Sequence, residues 1–239
     1  MIEPPPSESK KLIFINESTF QNGIFEKWNN LKKDITVGVV TYSQNYLLKT
    51  LINSFKSQNS DNWKMVIIHD GPINNDLYTS LTKNKYLTDE RILLLTSDVR
   101  YNDYGHSLRN IIIEKYLNTD WILLTNGDNY YTPNFIENME SEIQKDKDLS
   151  MIVFPCILQR SMDPEEPKLK TNFVNHSPQL RVGYVDMGQF IVKQEFAKKF
   201  KINPTPIADG EFCVNCAAEI KKSGKIIHRT YSVDFVHNN

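Results

Sequence analysis

Thr125-Asn126-Gly127-Asp128-Asn129 follows directly on the apolar run Trp121-Ile122-Leu123-Leu124. A buried strand that ends there delivers a carboxylate and two carboxamides into whatever crevice lies above the sheet. Ligands in open α/β sheets bind outside the carboxyl ends of the strands. Mg2+ and Mn2+ take one or two oxygen ligands from protein and complete their shell with phosphate and water. Asp128 is thus a candidate cation ligand, set against the plainer reading of an Asp that initiates a turn. Arg109 lies one turn into an expected helix whose N-terminus could face phosphate groups; a solvated helix face is its plainer reading. Cys213 and Cys216 form a Cys-x-x-Cys pair inside another expected helix. With no second pair and no paired His nearby, ordinary packing accounts for them better than zinc or redox chemistry.

The elements that must position these residues alternate along the chain. The runs 35–41, 64–69, 91–96 and 121–125 are nearly continuous and apolar, as strands buried on both faces are. Helical spacing predicts helices over 18–31, 45–57, 76–84 and 107–117, and a further helix opened by Pro133 and running to about residue 145. A strand over 151–157 follows. Strands alternating with helices predict a mostly parallel sheet with right-handed crossovers. Residues 4–11 read as an extended arm. Over 159–179 the pattern fails, because Pro164, Pro167 and Pro178 interleave with charges; a stretch of that length is a functional or unordered loop. A strand over 188–192, helices over 194–200 and 211–223, and a last strand over 226–229 complete the reading.

Bulk properties narrow the class. The chain has 239 residues, enough for one α/β domain with a full core. Its 28 Lys and Arg nearly cancel 29 Asp and Glu, so no basic surplus calls for nucleic acid. Three cysteines do not make a disulfide framework, which predicts a reducing, cytoplasmic setting, with peripheral contact to a membrane left open. The N-terminus is not a signal peptide, and no apolar run approaches the roughly 20 residues that span a bilayer.

Taken in order, these segments resemble the family 2 inverting glycosyltransferases of the GT-A fold. Val39-Val40-Thr41-Tyr42, with Tyr46, Leu47, Leu51, Ser54 and Gln58 after it, matches that family's opening pattern. Val66-Ile67-Ile68-His69-Asp70-Gly71 resembles its second strand, which normally ends in two acids and a glycine. Gly105-His106-Ser107-Leu108-Arg109-Asn110 resembles its glycine, arginine and asparagine helix start. Trp121 to Pro133 resembles the strand carrying the metal-binding Asp-x-Asp and the proline beyond it. Ala208-Asp209-Gly210-Glu211-Phe212 resembles the Glu-Asp motif before the acceptor-side helix, and Gly224-Lys225-Ile226 the turn after it. The similarity spans roughly residues 35–230. Two positions depart from the pattern: Asp-x-Asp is here Asn126-Gly127-Asp128, and the first acid of the second strand is His69, which leaves the nucleotide base open.

The resemblance implies a Rossmann-like, mixed but mostly parallel sheet flanked by helices. An N-terminal arm and helix (1–33) would precede a GT-A domain (34–239), with a nucleotide-binding half over about 34–157 and an acceptor-side half over about 158–239. It implies a metal-dependent inverting transfer from a nucleoside-diphosphate sugar to a glycan, glycoprotein or glycolipid acceptor. Asp128 would hold Mn2+ or Mg2+, with His237 completing the shell as a C-terminal His does in some relatives. Asp209 would be the general base, although Asp is also a preferred helix N-cap. Thr41, Tyr42, Asp70, Arg109, Asn126 and Gly127 would contact the donor nucleotide. Tyr130 and Tyr131 could line the sugar pocket or pack in the core. His69, His106 and His176 receive no catalytic role. Two other functions compete: a sugar-nucleotide nucleotidyltransferase, disfavoured because Thr41-Tyr42-Ser43-Gln44-Asn45 has neither glycine nor lysine, and a non-catalytic binding module on a degenerate fold.

Overall fold

The computed structural model describes residues 12–14, 23–43, 45–83, 85–161 and 171–237. At its centre, β2 (Ile35–Thr41), β3 (Trp63–His69), β4 (Ile92–Ser97) and β5 (Trp121–Asn126) run parallel in the order β4-β3-β2-β5. Their side chains divide with the two-residue strand period. Ile35, Val37, Val39, Met65, Ile67 and Leu123 face one layer; Val40, Val66, Ile68, Ile122 and Leu124 face the other. Helices α2 (Asn45–Lys56), α3 (Asn75–Lys83) and α5 (Phe135–Lys145) cover the first face through residues such as Leu51, Leu81 and Phe135. The second face is covered by α1 (Ile24–Asn30), α4 (His106–Ile111, continued by a π-turn to Tyr116) and α7 (Ala208–Lys222). Covering both faces is what turns these strands into unbroken apolar runs.

The sheet widens at both edges. β1 (Leu12–Phe14) pairs antiparallel with β4, so part of the N-terminal segment joins the main sheet. On the other side β10 (Phe190–Lys193), which is followed by the short α6 (Gln194–Ala197), lies antiparallel between β5 and β7 (Leu149–Val153), and β11 (Ile226–Arg229) closes the edge parallel to β7. A smaller sheet joins β6 (Tyr130–Tyr131), β12 (Phe235–His237), β8 (Cys156–Ser161) and β9 (Thr171–His176) in that order.

Several boundaries differ from the sequence reading. The strand expected over 151–157 is two strands, because Pro155 has no N–H for a ladder and the chain leaves the main sheet there for the smaller one. The expected loop over 159–179 instead begins and ends in a hairpin, with Ser161 opposite Thr171 and Cys156 opposite His176. Pro164 and Pro167 fall between these strands, outside the described residues, and Pro178 follows β9. Helix α1 begins at Ile24; residues 18–22 of the expected helix, and the arm at 4–11, also lie outside the described residues. Pro133 precedes α5 rather than opening it, the N-cap being Asn134.

Candidate active site

The parallel strands bring their carboxyl ends to one edge: Thr41 lies opposite His69, His69 opposite Thr96, and Val40 opposite Asn126. Above that edge opens a cleft of about 530 Å³ whose lining includes Thr41, Tyr42, Asp70, Asn126, Gly127 and Asp128. Six of the residues named from sequence therefore meet in one crevice. Gly127 makes the floor possible. A Cβ there would sit 2.5 Å from Thr41 Oγ1 and 2.7 Å from its Cβ, so only glycine lets the two strand ends come this close.

The opposite wall is the segment from Arg100 to Gly105, and Asp70 holds it. Its Oδ1 accepts from Tyr101 N–H at 2.7 Å and its Oδ2 from Asn102 N–H at 3.2 Å. Arg100 stacks 3.5 Å over the Tyr42 ring, with its Nε 3.9 Å from Asp70. Asn102 and Tyr104 have φ of 54° and 60°, left-handed values that are rare outside glycine and that gather where surrounding structure enforces them. Of this wall only Gly105 belonged to a sequence motif.

Arg109 is buried rather than on a solvated face. Its Nη2 donates to Asn126 Oδ1, and its Nη1 donates to Tyr104 O at 2.7 Å and to His106 Nδ1 at 3.1 Å. His106 Nε2–H donates to Thr205 O at 3.0 Å, which fixes the neutral tautomer. Burial, and then the Arg109 charge, pull this imidazole below its ordinary pKa. Asn126 thus serves as the neutral acceptor of a guanidinium. Tyr104, His106, Arg109, Asn126, Pro206 and Asp209 line a second cleft of about 320 Å³.

Asp209 is not a helix cap. The N-cap of α7 is Ile207, and Asp209 lies within the first turn, its Oδ1 buried without a hydrogen-bond partner. It also lines a third cleft, of about 310 Å³, together with His176, Asp186, Gln189 and His237. Asp186 was not named from sequence; it accepts from Gly188 N–H at 2.8 Å, and burial raises its carboxyl pKa, opposed by His237 and reinforced by Asp209. Asp209 and Pro206 are therefore shared by the second and third clefts.

His237 reaches this region because β12 pairs with β6, Val236 opposite Tyr130. Its Nδ1 is 3.1 Å from Asn129 Oδ1, so Nδ1 is the donor of that bond and Nε2 takes no part in it. Among the described residues no three His, Cys, Asp or Glu side chains converge into a protein-only metal cage. A cation that takes most of its shell from substrate phosphates needs none; the Asp128 carboxylate, on the first cleft, and the His237 imidazole, on the third, are each of a donor type that suits Mn2+ or Mg2+. Tyr131 belongs to the core: it is fully buried, stacks on Phe235 at 4.9 Å, and its hydroxyl hydrogen-bonds with Thr125 Oγ1 and Gly188 O. The three cysteines are free and buried, Cys213 and Cys216 in the core against the sheet.

Solved structures share this arrangement of elements. The Staphylococcus aureus TarS fragment 1–349 superposes with a TM-score of 0.65 at 12% identity, over 86% of this chain and 60% of that one. The mannosyltransferase PcManGT from Pyrobaculum calidifontis, solved with GDP-Man and Mn2+, gives 0.58 at 14% identity over 87% and 58%. GalNAc-T7, solved with UDP, GalNAc and Mn2+, gives 0.60 at 14% identity over 87% and 44%. The chain thus spans about 60% of the TarS fragment and less of GalNAc-T7. No curated protein matched it in sequence. No helix among the described residues is long and apolar enough to cross a membrane. The shared architecture is the GT-A fold, and residues 36–214 match the sequence profile of glycosyl transferase family 2, so the chain belongs to that family.

Proposed function

We propose that this protein moves a sugar from a nucleoside-diphosphate donor to an acceptor hydroxyl by a single inverting displacement. The observation that carries the reading is the position of Asp209, whose Oδ1 has no partner where the cleft of Arg109 and Asn126 meets that of Asp186 and His237. A nucleotide in the 530 Å³ cleft would lie against Thr41, Tyr42 and Gly127, with Asp70 fixing the wall beside it. The buried Arg109 guanidinium has no carboxylate partner among the described residues, which suits it to the donor diphosphate. TarS 1–349 solved with UDP-GlcNAc, and PcManGT solved with GDP-Man and Mn2+, support the donor class.

Asp128 and His237 would hold Mn2+ or Mg2+, whose chemistry is to offset the charge that gathers on the departing diphosphate. The remaining work falls to the chain itself. Asp209 takes the proton of the acceptor hydroxyl as that oxygen bonds to the anomeric carbon. The bond from that carbon to the diphosphate oxygen breaks on the far side, so configuration inverts. Arg109 and Asn126 orient the donor, and alignment of the two substrates supplies much of the rate. The acceptor would be a glycan, glycoprotein or glycolipid.

A thermal-shift series with nucleoside diphosphates, with and without Mn2+, tests the donor site, since ligands selective for the folded state raise Tm. A metal-dependent rise with one nucleotide, and slow donor hydrolysis that Asp209→Asn abolishes, is the expected result. Hydrolysis that survives this substitution would remove Asp209 from the chemistry. A nucleotide response with no turnover by the native chain would favour a binding module.

A further inference from the structure

The cleft beyond Asp209 is built unlike the donor cleft. One of its walls is the turn from Gln179 to Tyr184, closed by Tyr184 N–H to Arg181 O at 3.2 Å and Gln179 N–H to Tyr184 O at 3.0 Å, with Gly183 at φ 80°. The turn sits directly on the helix that carries Asp209. A Cβ at Gly210 would lie 2.8 Å from Val182 Cα and 3.0 Å from Gly183 N, so glycine at 210 is what allows backbone to rest on backbone there. Tyr184 lines the cleft yet stays 41% exposed, and the Arg181 guanidinium lies 3.6 Å over its ring, fixing the ring's orientation. An exposed aromatic held in this way has little rotamer freedom left to lose on binding.

The rest of the lining is mixed. Ile207 and Val185 are apolar; Gln189 Oε1 accepts from Asp186 N–H and its Nε2 faces His176, Asp186 Oδ1 accepts from Gly188 N–H, and His237 also lines the cleft, so the buried side-chain oxygen without a partner is Asp209 Oδ1. An aromatic face beside an unpaired carboxylate oxygen matches a sugar ring, which has apolar C–H faces and hydroxyls around its edge. A lipid tail would leave Asp209 Oδ1 unpaired, and that is costly. The volume, about 310 Å³, is at the small end of the range for small-molecule sites.

We propose that this cleft is the acceptor subsite and that Tyr184 makes it selective for a carbohydrate ring, which stacks on the tyrosine with a hydroxyl directed at Asp209. This rests on the transferase reading above. The test uses the full chain and a panel of methyl glycosides (gluco, galacto, manno and N-acetylglucosamine) as probes, by saturation-transfer NMR and by nucleotide release from the donor. At least one glycoside is expected to show saturation of its ring protons. That signal should be lost in Tyr184→Ala and kept in Tyr184→Phe and Tyr184→Trp. In turnover, KM for that glycoside should rise about tenfold in Tyr184→Ala, with kcat changed less than about threefold. Saturation transfer to no glycoside, an unchanged KM in Tyr184→Ala, or equal rescue by Tyr184→Leu would overturn the proposal. Glycoside binding that depends on Tyr184, with no turnover of any nucleotide sugar, would leave the subsite standing and remove the transferase reading instead.

Discussion

His237 Nδ1 donates to Asn129 Oδ1 at 3.1 Å, tying the C-terminal strand to the residue that follows Asp128. The bond orients the imidazole and leaves Nε2 as the nitrogen a metal would take, the arrangement in which an outer hydrogen bond fixes tautomer and ring. Two positions 108 residues apart are coupled because β12 inserts between β6 and β8. If His237 is a ligand, His237→Ala should raise the Mn2+ concentration for half-maximal thermal shift, with nucleotide present, by at least about tenfold. Asn129→Ala should raise it less. No change in either variant would make the contact purely structural.

Arg109 is a second joint. Removing its side chain leaves Tyr104 O, His106 Nδ1 and Asn126 Oδ1 without a donor. Buried acceptors stripped of partners cost about 1–3 kcal/mol each, partly recovered by relaxation. Arg109→Met should therefore lose about 2–4 kcal/mol in urea denaturation and weaken nucleotide binding. Arg109→Lys should recover part of the stability only, since an ammonium cannot serve three acceptors in a planar fork. With the guanidinium charge gone, the His106 pKa in Arg109→Met should rise, which NMR titration would show.

Most of the fold was legible because the four parallel strands are buried on both faces, and such strands announce themselves as apolar runs. The crevice residues from Thr41 to Asp128 were legible for the same reason, since they lie at the ends of those runs. What escaped has no periodic signal. The strands of the β8–β9 hairpin, Cys-Ile-Leu-Gln-Arg-Ser and Thr-Asn-Phe-Val-Asn-His, are short and partly polar, and their pairing is set by β12 far along the chain. Asp186, His106 and the wall from Arg100 to Gly105 become site residues only through tertiary contacts. Asp209 was named from sequence, but its place inside α7 was not, because nothing before Asp209 marks a helix start at Ala208.

Lys64 offers a pH test away from the site. Its side chain is buried, with Nζ 3.3–3.5 Å from the carbonyls of Trp28, Asn29 and Leu31 at the end of α1 and 4.4 Å from the Trp28 ring centroid. Burial, and then repulsion from Lys32, pull its pKa from 10.5 to about 8. A lysine whose pKa is lowered on folding binds its proton less well in the native state. Below about pH 8 both states are charged and the full cost is present; above about 10.5 both are neutral and it is gone. Native stability, measured relative to Lys64→Met, should thus rise between pH 8 and 10.5, by at most about 3 kcal/mol. A difference that is flat or falls over that window would mean that the carbonyls and the Trp28 face fully compensate the charge.

Gly127 separates packing from chemistry at the donor cleft. In Gly127→Ala the new methyl would meet Thr41 Oγ1 and Cβ well inside contact distance, and Leu48 Cδ1 at 3.5 Å. Thr41 is buried at the end of β2, so it cannot swing aside without disturbing the cleft edge. Overpacking of this kind costs about 1–3 kcal/mol. The variant should fold with that loss and bind nucleoside diphosphate at least about tenfold more weakly. The double variant Gly127→Ala with Thr41→Ala removes the atoms in the way, so stability should return further than the sum of the single effects. Nucleotide affinity should return with it if steric closure alone caused the loss. Restored stability without restored affinity would instead assign the Thr41 hydroxyl a direct contact with the donor.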